Sequence, residues 1–210
     1  MFIDLPPVPS TEIVVASDYV RDGVSLTNGN VAYQGAVTLD AGHVYVRATG
    51  TVADFQNVYD ADAELRLAVG AKTTIAGFGM DLSATYTNYH GVIAGADNEE
   101  VDYRLTASRK FGEVSTAVAV QYNPDVIGNR GEETLIDTRL AFPVGKGAEL
   151  SGGAGRAFAD YGDYTIWNAG VTKNVTETVA LDVRYFDSNG EDRFGTAFGD
   201  RFVVSLRASF

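Results

Sequence analysis

The chain has 210 residues, 45% of them hydrophobic, and a formal net charge of −12 at pH 7. Its length and its mean hydropathy of −0.04 are typical of one folded domain, and its acidic charge excludes nucleic acid as an expected partner, because binding to phosphates requires a basic surface. Cysteine is absent, which excludes disulfides and thiol chemistry, and no apolar run approaches the roughly 20 residues of a transmembrane helix.

The chain opens with a Pro-rich segment that has no leader peptide after Met1. Proline favours extended backbone, so we expect residues 1–10 to form an extended tail outside a single domain of residues 11–210. We interpret the chain as a mature form from which an export signal has been removed.

Segments in which apolar and polar side chains alternate follow the tail, separated by residues that favour turns. Period-two alternation is typical of a strand with one apolar and one polar face. Twelve strands are predicted, over residues 12–25, 32–39, 43–52, 62–72, 80–89, 101–110, 113–122, 134–142, 148–158, 164–173, 178–187 and 201–210. This even number of alternating strands predicts an all-β fold, a single-chain antiparallel transmembrane β-barrel.

The connections between the predicted strands alternate in length. The tight ones are residues 40–42, 111–112, 144–147 and 174–177, and the longer ones, rich in Gly, Asn and Asp, are 53–61, 90–100, 123–133 and 188–200. Two connections, 73–79 and 159–163, have intermediate lengths. Short periplasmic turns opposite longer extracellular loops are typical of outer-membrane barrels, whereas a soluble sandwich has no reason to alternate them.

Large aromatic residues fall at both ends of the predicted strands, which suits the two aromatic girdles of a membrane barrel. Those beside the tight turns are Phe78, Phe111, Phe142 and Phe210. Those beside the longer loops are Tyr86, Tyr89, Tyr103, Tyr122, Tyr164, Tyr185 and Phe202. The alternative interpretation is that aromatic residues simply favour strands.

The charged phase of the strands is predicted to face the lumen, because an Arg or Lys on the lipid side costs roughly 2–4 kcal/mol at the bilayer midplane. A soluble barrel would have the opposite arrangement. The predicted pore-lining residues are Arg47, Glu64, Arg66, Asp81, Asp102, Arg104, Glu113, Asp137, Arg139, Glu149, Asp182, Arg184 and Arg207.

Four of these strands carry an acid and an arginine two positions apart, and we expect each such pair to form part of a belt around the lumen. The pairs are Glu64/Arg66, Asp102/Arg104, Asp137/Arg139 and Asp182/Arg184. Two roles stay open for them: neutralising one another while fixing strand register, or setting selectivity.

Several motifs resemble the TorF family of outer-membrane porins from proteobacteria. They are residues 17–25 (SDYVRDGVS), Gln34-Gly35, residues 164–173 and the ending 200–210, with Asp22 where the family pattern has Arg. The resemblance implies an integral barrel in a Gram-negative outer membrane, in contact with outer-membrane lipid and lipopolysaccharide. It also implies that the terminal aromatic, Phe210, is the signal read by the barrel assembly machinery.

No catalytic or cofactor motif is found. The two histidines, His43 and His90, are predicted at opposite ends of the barrel, so they cannot share a Ser-His-carboxylate site. The loop aspartates are interpreted as a solvated rim, since their spacing misses the EF-hand pattern. We therefore predict no cofactor, no metal site and no enzymatic activity.

Three functions are compared. The leading hypothesis is a porin that passes small hydrophilic solutes or ions by passive diffusion, with a weak cation preference because inward acids outnumber inward arginines. The second is a structural or adhesion barrel whose lumen is plugged by its own salt-bridged side chains. The third, disfavoured by the histidine positions, is a barrel enzyme such as a phospholipase.

Overall fold

The computed structural model describes residues 8–210, in which twelve strands form a closed antiparallel barrel. The barrel strands are β1 (Val8–Ala16), β4 (Ala32–Asp40), β5 (Val44–Phe55), β6 (Ala61–Ile75), β7 (Phe78–His90), β8 (Glu99–Phe111), β9 (Val114–Asn123), β10 (Glu133–Gly145), β11 (Ala148–Ala159), β12 (Tyr164–Asn174), β13 (Val179–Ser188) and β14 (Arg201–Ser209). The predicted twelve-strand barrel is confirmed.

Three small elements lie in the connections. The two-residue strands β2 (Val20–Arg21) and β3 (Val24–Ser25) pair only with each other. Between β13 and β14, the short helix α1 (Glu191–Phe194) is followed by a 3-10 turn, Thr196–Phe198. Neither helix of the described residues has the length or the apolar character needed to cross a bilayer.

The barrel closes where its first strand meets its last. β1 and β14 pair over five positions, from Glu12 opposite Ser209 to Ala16 opposite Ser205. Beyond that ladder, Phe210 exchanges two backbone hydrogen bonds of 2.9 Å with Thr11. On its other edge β1 pairs with β4 over nine positions, so every barrel strand has two neighbours.

The two ends of the barrel differ in the length of their connections, as predicted. We call the end with residues 41–43, 76–77, 112–113, 146–147 and 175–178 the turn side. We call the end with residues 17–31, 56–60, 91–98, 124–132, 160–163 and 189–200 the loop side. The connection over 73–79 is the two-residue turn Ala76-Gly77, whose φ values of 53° and 79° fit the type I′ turn that suits hairpin twist.

The first predicted strand, residues 12–25, is wrong. β1 ends at Ala16, and residues 17–31 turn into the lumen as a segment that we call the inward loop. Its hairpin reverses at Asp22-Gly23, both with positive φ (50° and 80°), and Asp-Gly is a strong hairpin signal. At its other end β1 begins at Val8, inside the predicted tail, and the earlier residues of that tail lie outside the described part of the chain.

The outer surface of the barrel wall is apolar, whereas the inner surface carries charged and polar side chains together with two apolar clusters on the loop side. Val69 and Leu82 are 57% and 56% exposed on the outer surface, whereas Thr51 and Glu64 are 1% and 2% exposed on the inner one. In a soluble barrel the interior would hold the apolar side chains. The observed arrangement therefore suits a barrel surrounded by lipid.

The aromatic girdles are present with two exceptions. On the loop side, Trp167, Tyr185 and Phe202 form a row on the outer surface, with successive ring centroids 5.1 and 4.9 Å apart. Tyr89 and Tyr164, predicted in the same girdle, are instead buried, with 0% and 3% exposure. Both lie on the lumen phase of their strands, at the height where the inward loop fills the barrel.

Candidate functional site

The lumen of the barrel is the candidate site, and Arg21 of the inward loop is its central contact. Its Nη1 donates to Glu64 Oε2 on β6 at 2.8 Å, and its Nη2 donates to Glu100 Oε1 on β8. Its guanidinium also lies 5.7 Å from the ring centre of Tyr89. Both carboxylates are buried, so each depends on this arginine for compensation.

The base of the inward loop is held by a second set of polar contacts. Asp18 Oδ2 accepts from Arg201 Nη1 of β14 at 3.0 Å, and its Oδ1 accepts from the hydroxyls of Ser25 and Thr27 at 2.7 Å each. The Tyr19 hydroxyl donates to Glu64 Oε1 at 2.9 Å. Burial and then the negative charge of Glu64 raise the pKa of Tyr19 to about 12, so the phenol stays a neutral donor.

The tip of the inward loop reaches the far wall. The side chain of Asp22 accepts a hydrogen bond of 2.9 Å from Gln121 on β9. A Cβ atom at Gly23 would lie 2.4 Å from Cγ2 of Ile166 on β12, so the backbone itself touches the wall. The inward loop thus contacts strands around the whole barrel and crosses the lumen.

Apolar side chains fill the space on both sides of the inward loop. Leu26 packs in one buried cluster with Phe55, Val58 and Ile127. Val24 packs against a second cluster, which includes Phe198. Between the clusters a cavity of about 190 Å³ remains, which we call the loop-side cavity. The loop-side half of the lumen is therefore narrowed by packed protein.

The turn-side half of the lumen is wet. Arg139 and Arg207 belong to the inward-facing phase of β10 and β14, yet their side chains are 68% and 57% exposed. They line one cavity of about 510 Å³ together with Ser151, Asn168 and Arg184. Exposure inside a closed wall means that this half of the lumen is accessible to solvent.

Long side chains of the lumen reach over a neighbouring strand to a partner two strands away. Arg184 of β13 crosses Gly170 of β12 and donates to Ser151 Oγ of β11 at 2.8 Å. Tyr45 of β5 crosses Gly70 and donates to Asp81 Oδ1 of β7 at 3.1 Å, and a Cβ on Gly70 would lie 2.3 Å from the tyrosine ring. Small residues on the intervening strand make these crossings possible.

Two arginines likewise reach over a neighbouring strand to a carboxylate two strands away. Arg104 of β8 crosses β9, where it contacts Gln121 at 3.0 Å, and donates to Asp137 Oδ2 of β10 at 2.5 Å. Arg47 of β5 crosses β4 and donates to Glu12 of β1 at 2.9 Å. Charged side chains thus tie together strands that share no backbone hydrogen bonds.

Half of the predicted acid–arginine pairs form. Asp137/Arg139 and Asp182/Arg184 are ion pairs of 3.4 and 3.0 Å. Glu64/Arg66 and Asp102/Arg104 are not, because Glu64 binds Arg21 and Arg104 binds Asp137. A neighbour two positions along the same strand competes with partners that reach across the barrel. The Arg66 Nε is buried without a hydrogen bond to the described residues.

The remaining predicted pore-lining residues lie toward the turn side. Glu113 is in the turn between β8 and β9 rather than in a strand, and it is exposed. Glu149 is exposed near the start of β11, and Arg207 pairs with Glu12 at 3.4 Å. Within residues 8–210, Asp81, Glu113 and Glu149 form no ion pair shorter than 4.0 Å.

Several lumen residues escaped the sequence-based prediction, among them Glu12, Arg21, Tyr89, Glu100 and Glu133. Arg21 was assigned to the first strand, although the Asp-Gly pair that follows it signals a hairpin. Glu100 was assigned to a loop, but it is the second residue of β8. An earlier start for β8 and the hairpin signal would have placed both.

The histidines lie at opposite ends of the barrel. His43 is in the turn between β4 and β5, where Nδ1 lies 3.3 Å from the Lys72 carbonyl oxygen, and His90 ends β7 on the loop side. Across residues 8–210, no three His, Cys, Asp or Glu side chains converge on a position for a metal ion.

Comparison with known proteins identifies the kind of barrel. A family described as "Bacterial protein of unknown function (Gcw_chp)" matches residues 5–210. No curated protein matches the sequence. Similar solved structures include the KdgM porin, with a TM-score of 0.63 and 10% identity over 96% of this chain and 99% of that one.

Two further solved structures show the same similarity. The NanC porin has a TM-score of 0.60 and 8% identity over 95% of this chain and 97% of that one. An outer membrane channel from Pseudomonas putida F1 has a TM-score of 0.57 and 11% identity over 99% of this chain and 96% of that one. At such identities the shared property is the fold, a barrel like those of outer-membrane porins and channels.

Proposed function

Because the chain belongs to the Gcw_chp family of bacterial proteins, whose function is unknown, we propose from the barrel itself that it is a porin-like channel. It passes small hydrophilic solutes or ions by passive diffusion across a Gram-negative outer membrane. The observation that carries the proposal is the wet, charged turn-side lumen inside an apolar outer wall. The fold shared with porins and the motifs that resemble the TorF family support it.

The inward loop is the constriction of this channel. It ties β6, β8, β9, β12 and β14 together across the loop-side lumen, so a solute must pass beside it or displace it. A loop folded into a barrel narrows the bore and, with it, the conductance. We therefore propose a low conductance for the resting channel.

A weak cation preference follows from the charges that remain after pairing. Arg47 and Arg207 share Glu12, and Arg104 and Arg139 share Asp137. Arg184 pairs with Asp182, so these five arginines have three carboxylate partners. Asp81 and Glu149 have no arginine partner among the described residues, and Glu113 adds a further negative charge at the turn-side rim. Fixed charges in a confined lumen raise the local concentration of the opposite ion.

The proposal also includes the orientation of the barrel in the membrane and its partners. The turn side faces the periplasm and the loop side the cell exterior, with outer-membrane lipid and lipopolysaccharide around the apolar wall. Phe210 is 70% exposed at the end of the closing strand, where the barrel assembly machinery would read it. No enzymatic activity and no cofactor are proposed, which agrees with the separated histidines.

Single-channel recording in planar bilayers tests the function. Purified, folded protein should give discrete, small conductance steps. Silence from protein that is folded by a gel-shift criterion would instead support the second hypothesis, a structural or adhesion barrel, which the inward loop favours because it fills the loop-side lumen. Hydrolysis of phospholipid by the same preparation would contradict both.

A further inference from the structure

The loop-side cavity has more buried negative charge than its own cations balance. Four carboxylates line it, those of Asp22, Glu100, Asp102 and Glu133, against the guanidinium groups of Arg21 and Arg130. Arg21 already binds Glu100 and, outside the cavity, Glu64. Arg130 lies over the ring of Tyr161, at 5.4 Å from its centre, and bonds to a backbone carbonyl.

Three of the four carboxylates have no cationic partner in the described part of the chain, and two of these, Asp102 and Glu133, are buried. Asp102 is 8% exposed and accepts one hydrogen bond, at 3.3 Å from Gln121. Glu133 is 9% exposed and accepts only through Oε2, from the hydroxyls of Tyr161 and Tyr164. Burying an ionised carboxylate without a counter-charge is costly, so these groups favour the arrival of a positive charge.

A neutral group of the cavity also lacks a partner. Tyr89 lines the cavity with 0% exposure, and its hydroxyl makes no hydrogen bond to any described residue. Buried polar groups are nearly always hydrogen-bonded. The Tyr89 hydroxyl therefore marks a position where a polar atom of a ligand can form a hydrogen bond.

The spacing of the carboxylates suits an elongated cation. Asp102 lies on β8 and Glu133 on β10, with Asn123 of β9 opposite Glu133, so two strand spacings, about 10 Å, separate their backbones. In residues 8–210 no three acidic groups converge as a metal ion requires. Apolar side chains of the cavity, including Leu26, Ile127 and Phe198, lie beside these acids. A cation with two charged ends and a hydrocarbon middle matches this wall.

We propose that the loop-side cavity binds a small linear aliphatic diamine, with one ammonium group at Asp102 and the other at Glu133. The methylene chain lies against the apolar wall, and the Tyr89 hydroxyl accepts from an ammonium group. The cavity volume, about 190 Å³, is below that of typical sites for drug-sized ligands and admits one such molecule. Binding at this site goes beyond passive conduction and does not depend on it.

Isothermal titration of the detergent-solubilised full chain with 1,4-diaminobutane tests the proposal, with 1,4-butanediol as the uncharged probe of the same length. We expect saturable binding of the diamine and none of the diol. Asp102→Asn and Glu133→Gln should each weaken binding about tenfold or more, because each removes a charge-assisted contact. Tyr89→Phe should weaken it less, since only a neutral contact is lost.

Asp163→Asn is the matched control, because Asp163 is an exposed acid of the loop side that does not line the cavity. It should leave diamine affinity unchanged. Folding of each variant is checked by its gel shift on boiling, so loss of binding is read only from folded protein. Absence of diamine binding to folded wild-type protein would overturn the proposal, as would equal binding of the diol or an undiminished affinity in Asp102→Asn. Because no step measures conductance, the result is independent of the channel hypothesis.

Discussion

Arg21 and Glu64, 43 positions apart in the chain, form a buried ion pair in which Nη1 lies 2.8 Å from Oε2. The pair joins the inward loop to β6, and the same guanidinium binds Glu100 on β8. Removing one member of a buried pair costs about 3–5 kcal/mol, because the other charge is left uncompensated. Arg21 therefore contributes strongly to the position of the inward loop, beside the contacts of Asp18 and Asp22.

We expect Arg21→Ala to release the inward loop and to raise single-channel conductance. The loss of about 3 kcal/mol increases the ratio of released to docked loop by more than about hundredfold. Arg156→Ala is the control, since its pair with Asp163 at 3.1 Å is exposed and contributes about 0–1 kcal/mol. Equal conductance of the two variants would show that the inward loop is not the constriction.

A substitution without charge tests the same loop sterically. Gly23 and Gly29 both have left-handed backbone, with φ of +80° and +86°, so alanine costs each about 1–2 kcal/mol in strain. Only at Gly23 would the new Cβ meet the wall, 2.4 Å from Ile166 Cγ2. Gly23→Ala should raise conductance and Gly29→Ala should not. Adding Ile166→Gly to Gly23→Ala should restore the wild-type value, because it removes both Cγ2 and Cβ of Ile166, which lie 2.4 and 2.6 Å from the new Cβ. Failure to restore it would contradict the contact.

Ion preference is measured as the reversal potential in a salt gradient. We expect a weak cation preference that Asp81→Asn and Glu149→Gln each reduce, since both acids lack an arginine partner among the described residues. The preference should fade at high salt, because the screening length is about 3 Å at 1 M. A reversal potential of anionic sign would show that Arg139 and Arg207 dominate the lumen.

Orientation is tested by protease added to intact cells. Residues 91–98 and 189–200 are loop-side connections and should be cut, whereas Gly112 in the turn after β8 should be spared. Cleavage products identified by mass spectrometry distinguish the two ends. Cutting at Gly112 from outside would reverse the proposed orientation.

Membrane insertion predicts the solution behaviour of the purified chain. With side chains such as Phe202, 73% exposed, on its outer wall, the barrel should require detergent. A closed sheet has no free edge and resists unfolding, so boiled and unboiled samples should migrate differently on a gel. A monomer that is stable without detergent would contradict the membrane assignment.

The sequence predicted the wall of the barrel far better than its interior. Side chains of a strand alternate between its two faces with a period of two. A shift of one residue would turn every apolar side chain away from lipid, so the sequence strongly determines which face each side chain occupies. The inward loop was missed because the Asp22-Gly23 hairpin signal was included in one long strand, residues 12–25. Tyr89 and Tyr164 were misassigned to the girdle although each lies three positions from an outward-facing aromatic residue of its strand, Tyr86 or Trp167, which places it on the opposite face.

The partners of the lumen charges were also beyond prediction. Arg21 meets Glu64 and Glu100 only because the chain folds back across the barrel, at separations of 43 and 79 residues. The acid–arginine spacing correctly predicted only contacts within one strand, Asp137/Arg139 and Asp182/Arg184. Long-range geometry decides the rest.

The short seam between β1 and β14 has a consequence for how the protein folds. Its five register pairs join residues nearly the whole chain apart, so the barrel closes late and at a high cost in loop entropy. Until then β1 and β14 each have one edge without a partner strand, and such an edge is prone to associate with other chains. Asp18 finds Arg201 only after that seam forms. Because Asp18 follows β1 and Arg201 begins β14, their ion pair joins the same two strands as the seam and adds to its closure.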